Sequence, residues 1–276
     1  MKHPKRFALL LLLLATPAFA ADPAPTPPPS IARPDVETAA PKISIPGINL
    51  THGPAVVKLG TVAEISIPDG FAFIGPDSLD HYYALTQNTR QGNELGVVLS
   101  PADWELHFDF DDVGYVKDDD KDKLDASKLY ASLEEDVKAG NEYRRTKGWS
   151  EFKLHGWETP PRYDEKTNNL TWAFKLSSSR DNHQHIGLNE KIRLLGRGGV
   201  MNVTLVARLE GFKETEAAAQ QLLTNFSYVS GQKYAEYKKG DKLAEYGLAA
   251  LVVGGAGGHA REAGPLGKGQ FNTAPL

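Results

Sequence analysis

Strict two-residue alternation of apolar and polar side chains is the feature that most narrows the folds open to this chain. It runs through Ala63, Ile65 and Ile67; Trp104, Leu106, Phe108 and Phe110; Leu170, Trp172, Phe174 and Leu176; and Met201, Val203, Leu205, Ala207 and Leu209. Successive side chains of a strand point to opposite faces, so each run has an apolar face for a core and a polar face for water. That is the pattern of an antiparallel sheet. Pro68-Asp69-Gly70, Thr167-Asn168-Asn169 and Gly196-Arg197-Gly198-Gly199 carry turn chemistry beside these runs and read as hairpin turns. Helical spacing occurs only between them, in Leu129, Leu133 and Val137 and again in Leu222, Phe226 and Val229. Strands and helices mixed without a βαβ rhythm predict an α+β fold, a single domain with a largely antiparallel sheet covered by helices.

The ends of the chain have a different texture. Lys2, Lys5 and Arg6 precede an apolar run from Phe7 to Leu14, and Ala18-Phe19-Ala20 supplies an A-x-A cleavage site, so residues 1–20 read as an export signal. Eight prolines between Pro23 and Pro46 make residues 21–46 an extended, disordered tether. Residues 47–247 are long enough for one domain with a sizeable core, and 248–276 read as a short apolar segment followed by a disordered tail. The chain has no cysteine, which excludes disulfides, thiol nucleophiles and Cys-bound zinc. With 31 basic against 35 acidic residues it also lacks the cationic surplus that nucleic acid or anionic lipid selects.

Several stretches invite chemical readings. "DDDKDKLD" places Asp118, Asp120 and Asp122 at the first, third and fifth positions of a calcium loop. The sixth position needs glycine for a sharp turn and holds Lys123; the twelfth needs a carboxylate and holds Leu129. A solvated helix start, capped by Asp125, accounts for the same residues. His183 and His185 form an H-x-H pair with no third ligand at a metal-site spacing, in what reads as a loop, and His81, His107 and His155 read as isolated surface histidines. "LGRGG", Leu195 to Gly199, is followed by a strand where a phosphate cradle needs a helix. "GWETPPRYD" is different: two prolines stiffen a segment carrying Trp157, Tyr163 and Asp164, which with Arg197 make a candidate binding patch. No pattern calls for a metal or cofactor.

"GYVKDDD", "NEYRRTKGW", "GWETPPRYD", "LTWAF", "LNEKIRLLGRGGV" and "DKLAEYGLAAL" together resemble the bacterial family called domain of unknown function 2167, predicted membrane-anchored proteins, from about Leu50 to Val253. The resemblance implies no activity and no catalytic residue. It implies exported proteins that end in a hydrophobic span shortly after "YGLAAL". This chain departs there, because Arg261, Glu262, Lys268 and two prolines break any span of about 20 apolar residues, so the anchor is expected to be missing through truncation or a shifted frame.

The resulting expectation is an exported, non-catalytic protein of the periplasm or cell envelope that binds an envelope protein or cell-wall component. Membrane association would come only through the family's C-terminal segment. The alternative is an envelope hydrolase that uses Asp164 or Asp241 with Arg193 or Arg197 to stabilise developing charge.

Overall fold

The structure, a computed structural model, describes residues 42–252, so the expected signal, most of the tether and the tail beyond Val252 lie outside the described residues. In chain order the elements are β1 (Leu50–His52), β2 (Ala55–Leu59), β3 (Ala63–Ile67), β4 (Ala72–Ile74), α1 (Pro76–Leu85), β5 (Glu94–Leu99), β6 (Glu105–Asp111) and α2 (Ala126–Thr146). They continue with β7 (Phe152–Asp164), β8 (Asn169–Ser178), β9 (Ile186–Leu195), β10 (Val200–Arg208), α3 (Phe212–Leu223), β11 (Phe226–Tyr228) and α4 (Leu248–Val252). Among the described residues eight strands form an antiparallel sheet in the order β1-β4-β5-β6-β10-β9-β8-β7, and three form a smaller one, β11-β3-β2. The α+β class and the antiparallel sheet covered by helices agree with the sequence pattern.

The alternating runs lie in β3, β6, β8 and β10. Two of the three turns close hairpins: β7 returns into β8 with Asp164 opposite Asn169, and β9 into β10 with Leu195 opposite Val200. Pro68-Asp69-Gly70 does not. It carries the chain from β3 in the small sheet to β4 in the large one, with Gly70 at φ +81°. The stripe Leu222, Phe226, Val229 is not helical either, because α3 stops at Leu223 and Phe226 pairs with Ile65 across β11 and β3. The open ladder of β3 gives this segment backbone partners that a longer helix would forgo.

One face of the large sheet meets the small sheet and α3. Leu106, Phe108, Ile192, Met201, Val203 and Leu205 pack there with Leu59, Ile65 and Ile67 and with Phe212, Ala219 and Leu222. Helices cover the other face near its two ends. Leu129, Leu133 and Val137 of α2 join Leu170, Trp172, Phe174 and Leu176, while Leu79, Tyr82 and Tyr83 of α1 join Ile74, Val97 and Leu99. Asp125 caps α2 as the sequence predicts, accepting from the Ser127 and Lys128 amides at 3.1 Å. Arg144, in the last turn of α2, donates to the Gln87 carbonyl just beyond α1 at 3.0 Å and ties the two helices together. Ile43 and Ile45, within the expected tether, lean on the α1 cluster.

Candidate functional site

Trp157, Tyr163, Asp164 and Arg197 are each engaged separately. The Trp157 indole donates to the Ala126 carbonyl at 3.2 Å and meets Tyr130 edge-on, so it seats the start of α2 on β7. Tyr163 donates to Asp118 at 3.1 Å and accepts from Asn168 at 3.1 Å; burial first of all pushes its hydroxyl up to about 12. Asp164, exposed at the hairpin turn, accepts from the Lys166 amide at 2.9 Å, and that bond holds its carboxyl below the ordinary range. Arg197 clamps Asp241 with two bonds of 2.7 Å and holds that carboxyl down to about 2. Tyr163 and Asp164, adjacent on a strand, point to opposite sides.

The aspartate stretch is built into tertiary contacts. Asp118 receives Tyr163, and Asp120 accepts from the Leu248 and Ala249 amides at 3.0 and 3.3 Å, capping α4. Asp120 therefore does more than flank α2. A Cβ on Gly247 would stand 2.5 Å from its Oδ2, so the "YGL" glycine makes room for the cap. Leu248, Leu251 and Val252 behind this cap are buried in the α2 cluster. Among the described residues no group of three or more His, Asp or Glu side chains could hold a metal ion. His183 and His185 lie in an exposed loop, where His185 pairs with Asp181 at 2.8 Å and His183 shares the Ser177 hydroxyl with His155.

Two features were not anticipated. The polar face of the central strands, expected toward water, is largely enclosed between the α1 and α2 clusters. Register places Glu94, Asp109, Asn202 and Arg193 in one cross-strand row, and His107, Thr204 and Lys191 in the next. His107 is fully buried and not at the surface: it stacks on Tyr83 at 5.9 Å, its Nε2 lies 2.9 Å from Glu105, and Nδ1 then accepts from the Tyr83 hydroxyl at 3.3 Å. Tyr82 donates to the other Glu105 oxygen. Desolvation, reinforced by Glu94, raises Asp109 to about 6; desolvation, reinforced by Arg193, lowers Lys191 to about 7 while Lys191 donates to Thr204 at 3.0 Å.

The second feature is an open groove of about 650 Å³ on the opposite face, between β7–β9 and the α3–β11 segment. Ile192, Leu194, Leu223 and Phe226 give it apolar walls, and Asp164 lies along it. Glu190 of β9 also lines it, only 1% exposed, and neither of its carboxyl oxygens meets a donor. Burial and the neighbouring Glu216 carboxyl raise it to about 8. Its signal is visible in the sequence: Glu190 interrupts the apolar alternation Leu188, Ile192, Leu194.

An antiparallel α+β sandwich with a one-sided groove and a polar central face defines the class of protein. A family model described as "Protein of unknown function (DUF2167)" matches residues 51–269, and the chain belongs to that family. The match passes Val253, where the sequence suggested a departure from the family. Among solved structures, the solution structure of cyanobacterial PsbP (CyanoP) from Synechocystis sp. PCC 6803 is similar at 12% identity and a TM-score of 0.37, over 67% of this chain and 95% of that one. The Saccharomyces cerevisiae Ran-binding protein Mog1p is similar at 11% identity and a TM-score of 0.31, over 68% and 100%. No curated protein matches. Among the described residues no helix is long and apolar enough to cross a membrane.

Proposed function

We propose that this chain is an exported, non-catalytic binding module of the bacterial cell envelope, whose partner, an envelope protein or cell-wall component, occupies the groove between β7–β9 and α3. The observation that carries this reading is the groove itself: a concave trough of about 650 Å³ that sets apolar walls beside polar and charged side chains, and concave sites of this size are where proteins bind ligands. The export signal read from residues 1–20 supports the location. A hydrolase built on Asp164 or Asp241 with Arg193 or Arg197 loses support because these groups do not converge. Asp241 is spent on Arg197, Asp164 on a turn, and Arg193 lies over Trp172 on the other face of the sheet.

A photo-crosslinking residue at Thr224, exposed along the groove, should capture one discrete envelope component in living cells, and the same residue at exposed Lys147 should not. Identical patterns from both positions, or a chain that stays in the cytoplasm, would overturn the proposal.

A further inference from the structure

We infer that the groove seats an aliphatic primary ammonium group, held by Glu190 and Glu216 with its hydrocarbon stem along Ile192, Leu194 and Leu223. This rests on the binding reading of the groove and names the chemistry it selects.

The starting point is an unmet requirement. A carboxyl nearly withdrawn from water needs donors, and both oxygens of Glu190 are enclosed without one. Its neighbours on β9, Asn189 and Lys191, point to the other face and cannot supply them. Arg162, exposed beside the groove, acts on Glu190 through space without donating to it. The group that does come close is Glu216 of α3, itself an acceptor once ionised, and Gln220 lies 3.5 Å from it. A buried carboxyl with a second one beside it is stable only with a shared proton or a cation between them.

The groove is also lined by the neutral Thr171, Thr224 and Gln220, by Asp164, and by the exposed cations Arg162 and Lys233, neither of which donates to Glu190. An ammonium has three donors on a compact point charge, which suits a pair of carboxyls, and its alkyl stem suits the aliphatic walls. A hydrated divalent ion would have no use for those walls and would need more oxygen ligands than this pair offers.

The test is calorimetric titration of the full chain with cadaverine, with N-acetyl-lysine methylamide and with calcium, on wild type, Glu190→Gln and, as a control exposed on α2 away from the groove, Glu142→Gln. Saturable amine binding that weakens at least tenfold in Glu190→Gln, and stays within twofold in Glu142→Gln, is the expected result. Tighter binding of cadaverine would identify a free diamine as the source, and tighter binding of the lysine derivative a lysine side chain of a partner. No amine binding at 10 mM, binding indifferent to Glu190→Gln, or calcium binding that depends on Glu190 would each overturn the inference. Crosslinking from Thr224 is independent of that titration, so the groove can remain a binding site while the ammonium assignment fails.

Discussion

Replacing Glu190 by Gln should make the protein more stable at neutral pH and should flatten part of its pH dependence. The folded chain holds this carboxyl at about 8 against an ordinary value of 4.5, so between those values the folded state keeps a proton that the unfolded state releases. A raised acid of this kind is neutral in its effect below the ordinary value and costs stability as pH rises toward the folded one. At about 1.36 kcal/mol per unit, the cost grows by about 3 kcal/mol between pH 5 and pH 7.5. That is a large share of a typical domain stability of roughly 5–15 kcal/mol. Glutamine keeps the shape, removes the titration and can donate its amide to Glu216. The assay is urea unfolding of both proteins at the two pH values, read as the difference between their stabilities, because other groups titrate in both. The variant should gain about 3 kcal/mol on wild type between pH 5 and 7.5. A constant difference, or a variant less stable at pH 7.5 than at pH 5 by as much as wild type, would refute the idea that Glu190 is an uncompensated buried carboxyl.

Asp120→Ala should cost about 1 kcal/mol in thermal unfolding through the lost cap of α4. Millimolar calcium should leave the wild-type melting temperature unchanged, whereas a site with a dissociation constant of 10 μM would add about 2.7 kcal/mol at 1 mM. Tyr82→Phe should cost about 1–3 kcal/mol in urea unfolding, because it leaves an enclosed Glu105 oxygen short of a donor. Asp241 should titrate by NMR near 2 in wild type and return toward its ordinary 3.8 in Arg197→Ala; an unmoved midpoint would show that the clamp is not what holds it down. Trp157→Phe should leave crosslinking from Thr224 unchanged, since the indole serves the α2–β7 seam.

The legible parts of this fold are those decided locally. Alternation placed β3, β6, β8 and β10, the apolar spacing and Asp125 placed α2 and its cap, and two glycine- or asparagine-rich turns marked their hairpins. The errors share one cause, which is competition from distant partners. Pro68-Asp69-Gly70 has the chemistry of a hairpin turn, but β3 finds its neighbours in β2 and β11. Phe226 has helical spacing from Leu222, but the open edge of β3 takes it.

The two faces of the central strands show why the candidate sites were harder to read than the fold. A period of two says that the faces differ; it does not say which of them meets water. In β6, Leu106 and Phe108 face the small sheet while Glu105, His107 and Asp109 face the layer of α1 and α2, and both sets end up buried. Burying the polar set requires it to satisfy itself, which His107 does through Glu105 and Tyr83 across elements far apart in the chain. Glu190 is the opposite case. Its partners were not needed to find it, because a single carboxylate among Leu188, Ile192 and Leu194 breaks a pattern that its own strand establishes. A residue that is wrong for its face, enclosed, and still without a donor contributes nothing to folding that leucine would not contribute better. Its place in the groove is what the proposed ammonium ligand would account for.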